Sequence, residues 1–125
     1  MKILIVDDSA LIRRLIESAA SVLGRECVGV PDGIKALEAL EAAPDGFAMV
    51  CLDWTMPKMD GLECLTAIRA DPRWHAMPVL MVTSVSSCDS ILIALKAGAT
   101  GYLTKPFTEP DLLAKLMDCL GMGLD

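Results

Sequence analysis

The chain has no apolar stretch long enough to cross a bilayer, which takes roughly 20 residues, although 54% of its 125 residues are hydrophobic. Its longest apolar runs are strand-length. No secretory leader is expected from its first residues, because Met1-Lys2 is followed by a short apolar run and then by two acids, a segment too brief and too acidic for one. Basic clustering is missing as well. The formal charge is −6, and Arg13-Arg14 is the only adjacent basic pair, which argues against a nucleic-acid surface. That pair reads as the solvated face of an amphipathic helix. The five cysteines, Cys27, Cys51, Cys64, Cys88 and Cys119, form no CxxC and fall mostly inside apolar segments. They argue against structural zinc or a redox pair and predict buried thiols in a reducing compartment. The single histidine, His75, lies in a Pro-flanked loop and reads as solvated. These absences leave a soluble cytoplasmic protein with no membrane insertion and no nucleic-acid partner. The length predicts one domain over residues 1–125, with no room for a second module.

What is present is a repeated strand–helix rhythm. Apolar strand candidates run from Lys2 to Val6, Glu26 to Val30, Ala48 to Leu52, Val79 to Val82 and Gly101 to Thr104. Helical patterns fill the intervals. The first, from Ala10 to Leu23, places Leu11, Leu15, Ala19 and Val22 on one side and ends at Gly24, a residue suited to the left-handed turn that closes helices. The second runs from Gly33 to Ala43, with Asp32 as its cap and Pro44-Asp45-Gly46 as its stop. Leu62, Leu65 and Ile68 mark the third, and Ile91, Ala94 and Leu95 the fourth, closed by Gly98. The last is capped by Thr108, with an apolar stripe of Leu112, Leu113, Leu116 and Leu120. Strands one, three and four are continuously apolar, as in parallel strands buried on both faces. The second and fifth carry Glu, Gly, Tyr and Thr and belong at the edges. With right-handed crossovers, the expectation is a flavodoxin-like, doubly wound α/β fold: five parallel strands in order 2-1-3-4-5 with five helices.

Acids stand directly at the ends of two of these runs. Ile3-Leu4-Ile5-Val6 is closed by Asp7-Asp8, and Ala48-Met49-Val50-Cys51-Leu52 by Asp53. In a parallel sheet these ends share one side, beside the crevice where open α/β sheets bind ligands. Crowded carboxylates raise one another's proton affinity unless a cation is present, so the cluster predicts a metal. The donors are all oxygens, which suits Mg²⁺ or Ca²⁺. With so few protein carboxylates, Mg²⁺ that keeps several waters fits better than a calcium cage. An aspartate beside bound Mg²⁺ can serve both as ligand and as nucleophile toward phosphoryl groups. Thr83 ends the fourth strand with a hydroxyl donor, and Lys105 follows the fifth with a compact ammonium, two groups able to hold phosphoryl oxygens.

The chain is similar to the receiver domain of bacterial two-component response regulators, in particular the single-domain chemotaxis regulators. The resemblance is carried by Ile5-Val6-Asp7-Asp8-Ser9, by Asp53-Trp54-Thr55-Met56-Pro57-Lys58-Met59-Asp60-Gly61, by Val82-Thr83-Ser84, and by Gly98-Ala99 through Gly101-Tyr102-Leu103-Thr104-Lys105-Pro106-Phe107. It implies that Asp53 is a stoichiometric phosphoacceptor, taking its phosphoryl group from a sensor histidine kinase or phosphotransfer protein. It further implies that Mg²⁺ is bound by Asp8, Asp53 and the backbone carbonyl of Thr55, with Asp7 acting through water. Thr83 and Lys105 would hold phosphoryl oxygens, Tyr102 would be the aromatic that rotates inward in the active state, and the Lys105-Pro106 bond would be cis. The expected protein is a monomer that signals by binding other proteins, not a turnover enzyme.

Two positions depart from the chemotaxis pattern. Thr55 stands where those regulators carry an amide, and Val85 where they carry an acid. Both flank the path of water toward an acyl phosphate, so apolar Val85 is expected to lengthen the phosphorylated lifetime. Other readings compete. An aspartate-nucleophile phosphohydrolase would need an acid at Thr55 to protonate its leaving group, and a phosphorylation-independent binding module would not need Asp7, Asp8, Asp53, Thr83 and Lys105 together. Tyr102 taken alone reads as edge-strand packing. Trp54 and Trp74 read as covers over the core. The methionines are core filler, with Met56 and Met59 near enough to the site to form part of a partner surface.

Overall fold

The computed structural model describes residues 1–122. Five strands, β1 (Lys2–Val6), β2 (Cys27–Val30), β3 (Phe47–Leu52), β4 (Val79–Thr83) and β5 (Gly101–Thr104), alternate with α1 (Ala10–Val22), α2 (Gly33–Ala42), α3 (Gly61–Ala70), α4 (Cys88–Lys96) and α5 (Glu109–Cys119). All four strand pairings are parallel, in the order β2-β1-β3-β4-β5. The expected architecture is therefore the observed one. Boundaries moved by one residue. Glu26 precedes β2, although its carbonyl still accepts from Ile3 N–H at 2.9 Å.

Alternation along the central strands divides the core into two layers, because successive side chains point to opposite faces. Leu4, Val6, Val50, Leu52, Val79 and Met81 face α2, α3 and α4, where they meet Ala36, Leu40, Leu65, Ile68 and Ala94. Ile3, Ile5, Met49, Cys51, Leu80 and Val82 face the other way, onto Ile16, Ala19 and Ala20 of α1 and Leu112 and Leu116 of α5. Covering both faces is what allows β1, β3 and β4 to be apolar throughout.

Side-chain caps fix the starts of the helices at the carboxyl end of the sheet. Ser9 accepts from Ile12 N–H, Asp32 from Lys35 N–H, Ser87 from Ser90 N–H and Thr108 from Asp111 N–H. Asp60 and Glu63 form a reciprocal capping box at the start of α3. Each bond satisfies an amide that the first helical turn leaves without a partner. The same caps hold the βα loops in which the acids sit.

The face of α1 differs from the expectation. Leu11, Leu15 and Val22 are exposed, and the packed stripe is Ile12, Ile16, Ala19, Ala20 and Leu23. Both stripes have helical spacing, so periodicity did not separate them; contact with the sheet selects the second. On α4 only Ala94 is buried, while Leu92, Ile93 and Leu95 are exposed. The cysteine expectation needs the same kind of correction at one position. Cys51 and Cys64 are buried and Cys27 and Cys119 half-buried, but Cys88 is exposed because it opens α4 on the solvent side.

Candidate functional site

Asp7 and Asp8 leave the end of β1, Asp53 the end of β3, Thr83 closes β4, and Lys105 follows β5. Parallel strands bring all four ends to one edge. Asp7, Asp8 and Asp53 each place a carboxylate oxygen within 4.8 Å of the others. Asp7 and Asp53 are buried, whereas Asp8 is exposed. Lys105 Nζ donates to Asp7 Oδ2 at 2.8 Å and to Asp53 Oδ2 at 3.2 Å. The Lys105-Pro106 peptide bond is cis.

Backbone amides hold the remaining oxygens. Ser9 N–H donates to Asp7 Oδ1 at 2.9 Å, and Thr55 N–H to Asp53 Oδ1 at 3.4 Å. The β3–α3 loop is pinned from the other side, where Gly61 N–H donates to the Trp54 carbonyl at 2.8 Å. A Cβ at Gly61 would stand 2.2 Å from the Asp53 carbonyl oxygen, so only glycine lets α3 begin this close to the strand end.

Thr83 is fully buried. Its hydroxyl accepts from Val85 N–H at 3.3 Å and still has a hydrogen to donate. Tyr102 O–H donates to the Val85 carbonyl, so β5 and the β4–α4 loop are tied together through the residue that departs from the chemotaxis pattern. Thr55, the other departure, is exposed.

The electrostatics follow from burial. Pairing with Lys105 alone would pull the Asp7 carboxyl down, but desolvation, helped by the nearby charge of Asp53, outweighs it and holds Asp7 above the usual 3.8. For Lys105 burial works against the ammonium, and Asp7 and Asp53 together overcome it, so its pKa stays above the ordinary lysine value. Burial, with Asp53 adding to it, keeps the Tyr102 phenol protonated above its usual range, and therefore a donor. Three carboxylates against one ammonium leave an excess of two negative charges when all are ionised, the charge of one divalent cation. The donor set is oxygen throughout and partly open at Asp8, which fits a small hard ion that retains water.

Arg13 also departs from the expectation of a solvated face. Arg13 is half-buried and not simply solvated, and its Nη1 donates to the Asp7 carbonyl at 2.6 Å. His75 is exposed, as expected, with Nδ1 3.0 Å from the Pro72 carbonyl. Trp74 is buried and donates through Nε1 to the Pro44 carbonyl at 3.2 Å, the core cover that was anticipated. Among the described residues no helix is long and apolar enough to cross a membrane.

A doubly wound sheet with paired acids at its switch point and a lysine across from them defines a class, and the comparisons with known proteins identify the family within it. The model of the response regulator receiver domain matches residues 3–117, and the chain belongs to that family. A chemotaxis protein CheY homolog of Campylobacter jejuni is 40% identical over 124 residues, spanning 98% of this chain and 95% of that protein. CheY1 of Helicobacter pylori is 41% identical over 122 residues, 97% of this chain and 98% of the relative. The solved structure of Vibrio cholerae CheY4 superposes with a TM-score of 0.87 at 34% identity, covering 95% of this chain and 98% of that one. This protein is a CheY-like receiver domain of two-component signalling.

Proposed function

We propose that residues 1–125 act as one phosphoacceptor switch, in which Asp53 takes a phosphoryl group from a phosphohistidine of a sensor histidine kinase or phosphotransfer protein in the cytoplasm. The observation that carries this reading is the convergence of Asp7, Asp8 and Asp53 within 4.8 Å under a single shared lysine. An Asp53 carboxylate oxygen would form the new O–P bond as the P–N bond to imidazole breaks, and the imidazole would leave with the electron pair. Lys105, 3.2 Å from Asp53, would neutralise one phosphoryl oxygen, and Thr83 would donate to another. Asp8, Asp53 and the Thr55 carbonyl would hold Mg²⁺ directly, with Asp7 acting through water. When bound, the ion supplies charge neutralisation between the carboxylates and the incoming phosphoryl group.

Phosphorylation adds nearly two negative charges to a site already short of positive charge. Thr83 can relieve that only by moving toward the new group, and the Val85 carbonyl that holds Tyr102 lies two residues further along. The displacement therefore passes to β5 and the start of α4. The exposed Leu92, Ile93 and Leu95 of α4 would form the apolar part of a surface read by a protein partner, in chemotaxis or in a phosphorelay. A ligand or partner shifts such an equilibrium only by its differential affinity for the two states.

The test follows label from a phosphohistidine-bearing phosphotransfer protein, with Mg²⁺ supplied. Loss from the donor should be matched by gain on this chain, and Asp53→Asn should take up none. Retention of label on the donor, or uptake undiminished in Asp53→Asn, would refute the reading.

A further inference from the structure

Asp7 is anchored at every polar atom, and one of its anchors comes from a residue with no assigned role. Its N–H donates to the Val30 carbonyl at 3.1 Å, its Oδ1 accepts from Ser9 N–H, and its Oδ2 accepts from Lys105. Its carbonyl accepts from Arg13 Nη1 at 2.6 Å, a short contact with a charged guanidinium donor. That carbonyl belongs to the planar peptide joining Asp7 to Asp8. Clamping it fixes the plane from which the Asp8 Cα and side chain depart.

Arg13 reaches the carbonyl by lying across β2. Ile5 of β1 is paired with Gly29 of β2, and a Cβ built at Gly29 would stand 3.0 Å from Arg13 Cδ and 3.4 Å from Nε. Glycine is disfavoured in a strand interior unless something approaches closely. Here that something is the Arg13 stem.

We propose that Arg13 is a positioning residue for the acidic pocket: through the Asp7 carbonyl it orients the Asp7–Asp8 pair toward a divalent cation, and Gly29 keeps its path open. The inference rests on the reading of the pocket as a magnesium site. The alternative is that Arg13 only staples α1 to the sheet and adds a background positive charge. These two roles predict opposite signs. Removing a nearby positive charge should tighten cation binding, whereas releasing the clamp should weaken it. A lysine would keep the charge, but its point-like ammonium is not the planar fork that arginine offers.

The experiment is calorimetric titration of the full chain with magnesium chloride, alongside thermal unfolding in EDTA. Arg13→Gln and Arg13→Lys should both weaken magnesium binding about tenfold. Gly29→Val, which favours a strand and leaves net charge untouched, should weaken it about threefold by displacing the Arg13 stem. The midpoints in EDTA should fall too little for loss of folded protein to account for the change. Tighter binding in Arg13→Gln with unchanged binding in Arg13→Lys would overturn the proposal and leave Arg13 as background charge. Unchanged binding in all three variants would also overturn it. Absence of magnesium binding in the wild-type chain would bring down the reading of the pocket, and the proposal with it.

Discussion

At the amino-terminal end of the sheet Arg73 lies between Glu41 and Asp71, and at the carboxyl end Lys105 lies between Asp7 and Asp53. The inventory is the same, one cation and two carboxylates, but the responses are opposite. Arg73 makes paired contacts of 2.7–3.0 Å to both acids, lies 4.2 Å from the Trp74 ring centroid, and pulls Glu41 and Asp71 below their usual values. The guanidinium is matched to both acids, and the groups it does not hold face solvent. At the other end the ammonium is shared, desolvation outweighs pairing, and Asp7 rises. Asp8 adds a third carboxylate within 4.8 Å that Lys105 does not hold. Exposure turns a charge cluster into surface decoration, whereas burial turns it into a demand for a further cation.

Removing the cation from each cluster should break that contrast most strongly. Lys105→Ala strands two buried carboxylates and should cost about 2 kcal/mol in EDTA, less than a fully buried pair because the ammonium is partly solvated. Magnesium should restore most of the loss, which urea unfolding with and without the ion would show. Arg73→Gln should move the urea midpoint far less, with no magnesium dependence.

The buried cluster also carries a pH signature opposite in sign to that of the exposed one, whose lowered carboxyls lose their contribution as pH falls. Because the folded pKa of Asp7 lies above 3.8, the fold binds this proton more tightly than the unfolded chain does. Its contribution to stability is therefore full at low pH and falls as pH rises from about 3.8 through the folded value. In EDTA, Asp7→Asn should escape this loss, and its stability relative to wild type should improve across that window. A fall in the stability of Asp7→Asn relative to wild type as pH rises through that window would contradict the burial argument.

Dryness sets the next difference. Val85 is half-buried beside Thr83, and Val85→Glu would bring a water-binding acid to the acyl phosphate, shortening its lifetime about tenfold. Equal decay rates in the two proteins would show that Val85 does not exclude water. The smallest effect concerns the thiols. Burial, with the charge of Glu17 adding to it, pushes Cys27 up to about 11, and burial with Asp60 takes Cys64 up to about 12. Exposed Cys88 should therefore alkylate first near neutral pH, with Cys51 and Cys64 labelled only on unfolding.

Strand order, the caps at Asp32 and Thr108 and the convergence of acids were legible because each depends on local chemistry: unbroken apolar runs, Asp or Thr before a helical stripe, and carboxylates at strand ends. Arg13 was not legible, since its target at Asp7 depends on how α1 is rotated against the sheet. Gly29 inside an edge strand was the available signal, and it becomes readable only once the register of β1 on β2 is known. The same rotation exposed Leu11, Leu15 and Val22 and buried Ile16 and Ala20. Arg73 escaped notice because its partner Glu41 lies 32 residues away on α2, with β3 and α3 in between.

The most direct test is peptide-resolved mass measurement after treatment with acetyl phosphate. With magnesium present, the peptide containing Asp53 should gain about 80 Da, and with EDTA, or in Asp53→Asn, it should not. A gain on a different residue, or an equal gain on Asp53 without the metal, would contradict the claim that the crowded carboxylates act through a shared divalent cation.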